Sequence, residues 1–149
     1  MATPEIEIIL FSFGHQFGKP TDVDLIIDVR HFPNPSKLCR SKYKGIHNRL
    51  QKELYTNPVF GSLYTPILEQ IIQYINTFAK DKCTIAIGCE HGRHRSVAIV
   101  EKLANDLDIE NIQVYHRDIK QKNSRGLRQR QYDQRRQEKH GLVLENTCF

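Results

Sequence analysis

A single α/β domain, with a short, mostly parallel sheet flanked by helices, is the fold the sequence predicts. Three observations carry it. Four short apolar runs are separated by turn-rich or amphipathic segments, helical spacing appears between the middle runs and after the third, and no internal repeat is present. The runs are Ile6–Phe11, Leu25–Val29, Thr84–Cys89 and Ile112–Tyr115. The second and third are apolar almost without a break, as expected of strands covered on both faces.

Between the second and third runs, Leu63, Ile67, Leu68, Ile71, Ile72, Ile75 and Phe78 fall on one helical face. Thr65-Pro66 offers a start for that helix, because proline suits the first turn. A second helix is expected from about Arg95 to Leu107, with Val97, Val100, Leu103, Ala104 and Leu107 inward. Residues 31–61 are loop-rich, with Pro33-Asn34-Pro35, a short basic helix over Lys42–Leu54, and Asn57-Pro58. Residues 120–141 hold almost no apolar side chain beyond Leu127 and Tyr132 and have little to bury. The organisation expected is therefore an α/β domain over 1–122 and a basic arm and tail over 123–149.

No stretch approaches the roughly 18 apolar residues of a membrane span, and Met1-Ala2-Thr3-Pro4-Glu5 has no signal-peptide character. Cysteines 39, 83, 89 and 148 form no Cys-x-x-Cys pair. Cys83 and Cys89, on one predicted strand, would lie ~20 Å apart and could not bond each other. A reducing, cytoplasmic setting is the simpler reading. Nothing in the sequence decides between a single copy and a homo-oligomer.

The net charge of +5 is unevenly spread. Residues 30–61 carry seven Lys/Arg against one Glu, and residues 117–140 carry nine against three acids, so everything else is acidic. Two basic stretches on an acidic body suit a polyanionic partner such as RNA. Candidate phosphate contacts are Arg125, Arg128, Arg130, Arg135 and Arg136 in the arm, with Lys42, Lys44 and Arg49 in the first stretch. Tyr43 and Tyr55 could stack on unpaired bases. A solvated surface is the competing reading.

The sharpest local feature is Cys89-Glu90-His91-Gly92-Arg93-His94-Arg95-Ser96, where a buried strand turns into a helix. A helix start exposes unpaired N–H groups and a partial positive charge, which a tetrahedral oxyanion satisfies. Arg95 could add a guanidinium fork, Ser96 a hydroxyl, and Gly92 the backbone curvature. Cys89 and Arg95 also have the Cys-x5-Arg-Ser spacing of cysteine-dependent phosphatases. There Cys89 would attack as a thiolate, Arg95 would hold the phosphoryl oxygens, and Asp28 would serve as general acid. The alternative is an inert buried cysteine. His91 and His94 have no evident further ligands, so no metal and no cofactor is expected. His94 is expected to bond the anion or the loop backbone. Asp28 and Arg30 sit just beyond a strand's C-terminal end, the side on which open α/β sheets place ligands, and they are expected on the wall of the site together with the Phe13–Gly18 segment, which holds His15.

Several of these motifs, in order, resemble the C-terminal domain of the bacterial RNase adapter protein RapZ over roughly 8–122. Ser12-Phe13-Gly14, Gly18, Pro20 and Asp22-x-Asp24 are similar to that family's opening segment. Asp28-Val29-Arg30 with Pro33-Asn34-Pro35 resembles its Asp-Val-Arg-x-x-Pro-Asn-Pro. Gly88-Cys89, Gly92 and His94-Arg95-Ser96-Val97 resemble its Gly-Cys-Thr-Gly-Gly-x-His-Arg-Ser-Val, and His116-Arg117 its late His-Arg pair. The resemblance implies an α/β domain, similar in part to a phosphofructokinase subdomain, that binds an amino-sugar phosphate and a small RNA and is not a catalyst. Full-length members also carry a nucleotide-binding domain with a Walker A loop. No Gly-x-x-x-x-Gly-Lys-Ser/Thr occurs here, so nucleotide hydrolysis does not carry over. Glu90-His91 replaces the family's Thr-Gly, which puts a carboxylate at the loop, and His15 and Phe17 depart from the usual position of the opening histidine.

The expectation is thus a phosphorylated small molecule held at Cys89–Ser96, with an RNA or adapter role. The competitors are a Cys89-dependent phosphatase and an RNA adapter without a small-molecule site.

Overall fold

In a computed structural model the chain is described over residues 6–78 and 81–121. Four strands, β1 (Glu7–Gly14), β2 (Leu25–Asp28), β3 (Lys82–Cys89) and β4 (Ile112–His116), form one sheet in the order β2-β3-β1-β4. All three pairings are parallel. The helices are α1 (Lys37–Lys42), α2 (Asn48–Tyr55), α3 (Phe60–Phe78) and α4 (Arg95–Asp106), and a 3-10 turn spans His15–Phe17. The predicted α/β class and all four strands are present.

Leu10 faces Ile85 and Ser12 faces Ile87, so Ile8, Leu10, Ile27, Cys83, Ile85, Ile87 and Cys89 share one surface of the sheet. That surface packs on Leu50 and Leu54 of α2, Phe60, Tyr64, Ile67 and Ile71 of α3, and Ala98, Ile99 and Leu103 of α4. The connections β2→β3 and β3→β4 step the same way across the sheet. Right-handed crossovers therefore place α3 and α4 on the same face. The opposite face carries Phe11, Phe13 and Ala86, with Val23, Ile26 and Tyr115 against them.

β1 runs three residues past its predicted end, because β3 continues beside it to Gly14↔Cys89. The extension buries the Ser12 hydroxyl, which meets His116 Nδ1 at 2.8 Å. The expected single helix over 42–54 is two helices. Tyr43 stacks on His47 between them, and Gly45 N–H donates to the Arg93 carbonyl, so this stretch is tied to the loop after β3. α3 begins at Phe60, ahead of the predicted Thr65-Pro66, and Pro66 lies inside it. Burial of Phe60 and Tyr64, with stacked rings, pulls the start forward, while Pro66 stays on the exposed side. The predicted arm at 123–149 lies outside the described residues. Among the described residues no helix is long and apolar enough to cross a membrane.

Candidate functional site

Because every strand is parallel, four C-terminal ends open on one edge of the sheet. They deliver Gly14–Gly18 after β1, Asp28–Arg30 after β2, Cys89–Ser96 after β3 and His116–Asp118 after β4. The sequence-predicted residues of the first three segments come together here.

The loop after β3 is wedged against β1. A Cβ on Gly14 would lie 2.5 Å from the His91 carbonyl carbon, and one on Gly92 would lie 2.5 Å from the Gly14 nitrogen. Gly92 also has φ +73°, a conformation that side chains resist. Two glycines thus allow backbone to touch backbone where the loop turns. Inside the turn, Cys89 Sγ accepts the Gly92 N–H at 3.3 Å and lies 3.0 Å from Ser96 Oγ. Cys89 is only 3% exposed. The thiol therefore braces the loop from within.

α4 starts without a side-chain cap, and its N-cap residue His94 offers none. The first helical bond is Ala98 N–H to the His94 carbonyl, so the N–H groups of Arg95, Ser96 and Val97 precede it. His94 turns away from this end. Its Nε2 lies 3.0 Å from the Arg40 carbonyl of α1, so it joins two elements and does not line the loop. Burial, opposed in part by the Arg40 carbonyl, lowers its pKa to about 4, and the ring is neutral at pH 7.

Arg95 is buried, and its Nη1 donates to the carbonyls of Arg30 at 2.6 Å and Phe32 at 3.1 Å. One arm of the expected anion fork is thus engaged in holding the β2–α1 connection. Arg30 in turn grips Asp28: Nη2 reaches Oδ2 at 2.8 Å, and Nε and the backbone N–H reach Oδ1 at 3.0 and 2.9 Å. The Arg30 side chain bonds hold the Asp28 pKa down at about 2. The same bonds raise the pKa of Arg30.

His15 Nε2 stands 3.6 Å from Asp28 Oδ1, beyond hydrogen-bond reach. Gln16 N–H donates to the Glu90 carbonyl at 3.1 Å, and Gln16 Oε1 lies 2.5 Å from His91 Nδ1. His15 Nε2, Gln16 Nε2 and Arg93 Nε are buried without a hydrogen-bond partner among the described residues. Burial first, then Arg30, lowers the pKa of His15, and burial first, then Arg93, lowers that of His91. Glu90 is exposed, with its charge felt at His15, Arg30 and His91. The carboxylate thus stands at the rim, outside the turn.

Sequence reasoning missed Asp118, read Arg117 only as part of the late His-Arg pair, and placed Gln16 on the wall only as a member of the Phe13–Gly18 segment. Asp118 is 3% exposed and accepts the Gly14 N–H at 2.8 Å, while Arg117 bonds both Asp118 and the Gly18 carbonyl. The signal available was the charged pair directly after an apolar run. Lys42, Lys44 and Arg49 are exposed on and beside α1 and α2. A cleft of about 590 Å³ there is lined by Lys42, Arg49, Lys52, Tyr43 and Glu53. Tyr55 points elsewhere, its hydroxyl donating to the Ala98 carbonyl at 2.5 Å. Arg125, Arg128, Arg130, Arg135 and Arg136 lie outside the described residues. Among the described residues no group of three or more His, Cys, Asp or Glu side chains gathers as a metal ion would need.

A family model described as the RapZ C-terminal domain matches residues 6–120. Similar curated proteins are each named nucleotide-binding protein. One from Pediococcus pentosaceus is 38% identical over 77% of this chain and 41% of its own length. One from Acinetobacter baumannii is 36% identical, over 76% and 42%. One from Limosilactobacillus fermentum is 40% identical, also over 76% and 42%. The chain spans about two fifths of the length of these relatives.

Proposed function

The chain belongs to the RapZ C-terminal domain family, and from that footing we propose that Cys89–Ser96 holds the phosphate of a phosphorylated small molecule without turning it over. The observation that carries the reading is the uncapped start of α4, facing the edge where Arg30, His15 and Gln16 converge. Free helix-start donors favour an oxyanion. Buried polar groups left unpaired cost about 1–3 kcal/mol each, a cost that a bound molecule's own polar groups would offset. The carboxylates of Asp28 and Glu90 beside the cradle favour a ligand that carries amino or hydroxyl donors away from its phosphate, such as an amino-sugar phosphate. The relatives' name adds nucleotides to the candidates.

The phosphatase reading is disfavoured by two features. Asp28, held ionised by Arg30, has no proton to give a leaving group near neutral pH. The Cys89 sulfur faces Gly92 and Ser96 and is almost fully buried. A second reading, contact with RNA phosphates, is supported by the exposed Lys42, Lys44 and Arg49 beside Tyr43.

The test is a thermal-shift screen of amino-sugar phosphates, hexose phosphates, nucleotides and inorganic phosphate, since a ligand of the folded state raises its melting temperature by mass action. At least one phosphorylated compound is expected to stabilise the protein more than its dephosphorylated form. Equal shifts for the two forms would refute the phosphate assignment.

A further inference from the structure

We propose that Arg117 and Asp118 are positioning residues that fasten the Gly14–Gly18 segment as one wall of the ligand site. The proposal rests on the reading of Cys89–Ser96 as a phosphate site. The segment needs outside support. Its middle is a single 3-10 turn over His15–Phe17 with no side-chain cap and no buried residue, and short 3-10 pieces hold themselves weakly. Yet this turn carries His15 toward Asp28 and Gln16 against Glu90 and His91.

The pair grips both ends of it. Asp118 Oδ2 accepts the Gly14 N–H at 2.8 Å. Arg117 Nη2 donates to the Gly18 carbonyl at 2.6 Å. The two residues are locked together through Nε to Oδ1 and Oδ2 at 3.1 and 3.0 Å and Nη2 to Oδ2 at 2.8 Å. The guanidinium lies over the Phe13 ring, 5.4 Å from its centroid, and Arg117 N–H donates to the Ser12 carbonyl. Asp118 also abuts the turn of the other loop, with its Cβ 3.0 Å from where a Gly92 Cβ would stand. One ion pair at the end of β4 therefore sets the distance between the Gly14–Gly18 segment and the Cys89–Ser96 loop. A wall fixed before binding spares the ligand the cost of ordering it.

The variants are Arg117→Met, which keeps the aliphatic cover of Phe13 but loses the hold on Gly18, and Asp118→Asn, which keeps an acceptor for Gly14 but loses the charge that orients Arg117. Binding of inorganic phosphate and of a hexose 6-phosphate is measured by calorimetry, and amide hydrogen exchange is followed at Gly14, Gln16 and Gly18. Inorganic phosphate needs only the cradle, whereas the sugar phosphate also needs the wall. Arg117→Met is expected to weaken the hexose phosphate about ten-fold and inorganic phosphate less than about three-fold. Exchange at Gln16 and Gly18 should quicken by more than the loss of global stability accounts for, since the variant also leaves the buried Asp118 carboxylate without its ion-pair partner. Asp118→Asn should quicken Gly18 more than Gly14. Unchanged exchange in Arg117→Met, or equal weakening of both ligands, would overturn the positioning role. If wild type binds neither compound, the phosphate reading falls by itself, and the exchange result still decides whether the pair fastens the segment.

Discussion

At Arg95, Nη1 already donates to two backbone carbonyls, so Arg95→Ala removes structure as well as ligand contact. Charge-assisted bonds of this kind are worth about 1.5–3 kcal/mol, and we expect Arg95→Ala to lose about 2 kcal/mol of stability and to weaken phosphate-ligand binding as well. Cys89→Ser should behave differently. A hydroxyl can still accept the Gly92 N–H and meet Ser96, so stability and affinity should stay within about 1 kcal/mol of wild type. Urea unfolding and calorimetry on both variants check this. Matching losses would mean that the sulfur, not the helix start, carries the site. His94, His15 and His91 all have folded-state pKa values below the ordinary 6.5, so the unfolded chain binds more protons as pH falls through that region. Stability should be level above pH 6.5 and fall between about 6.5 and 4, with the low limit set by His94. His94→Gln keeps a donor for the Arg40 carbonyl and cannot titrate, so its melting temperature should fall less steeply over that range. An unchanged slope would show that His94 does not contribute to the acid loss of stability.

Among the elements, the contact between β1 and the loop after β3 is the most demanding, because no side chain fits between Gly14 and Gly92. Gly92→Ala must also place a Cβ at φ +73°. Strain and overpacking together should cost about 3 kcal/mol, read as a lower urea midpoint with an unchanged slope. A loss below about 0.5 kcal/mol would show that the loop yields freely. The strands were legible as apolar runs and α4 from its helical spacing, but the expected cover on both faces was not met, since the helices pack on one face and β2 is only partly buried. Helix starts were less legible. Pro66 signals a first turn locally, but burial of Phe60 and Tyr64 extends α3 past it. The break between α1 and α2 depends on Gly45 meeting Arg93, 48 positions away, which no local pattern encodes. The candidate site was legible where one segment carries the proposed chemistry, as in Cys89–Ser96. Asp118 went unread because its role arises only when β1, β3 and β4 end side by side.

The described residues form a four-stranded parallel sheet whose helices cover one face and whose strand ends gather the polar groups at one edge. Among the described residues every strand and helix lies between residues 7 and 116. Removal of residues 123–149 should therefore leave a cooperative unfolding transition in place. Its loss would give the C-terminal stretch a part in the core. If RNA binds through both basic stretches, the truncated chain should show weaker affinity and a shallower salt dependence. The loop between β3 and α4 is proposed as an anion cradle and not as a catalytic nucleophile site. Calorimetric titration of wild type and Cys89→Ser with the best-stabilising sugar phosphate, beside phosphate release measured on the same samples, tests it most directly. Saturable binding shared by both proteins, with no release above the buffer rate, is expected. Release that is robust in wild type and abolished in Cys89→Ser, with binding retained, would contradict it.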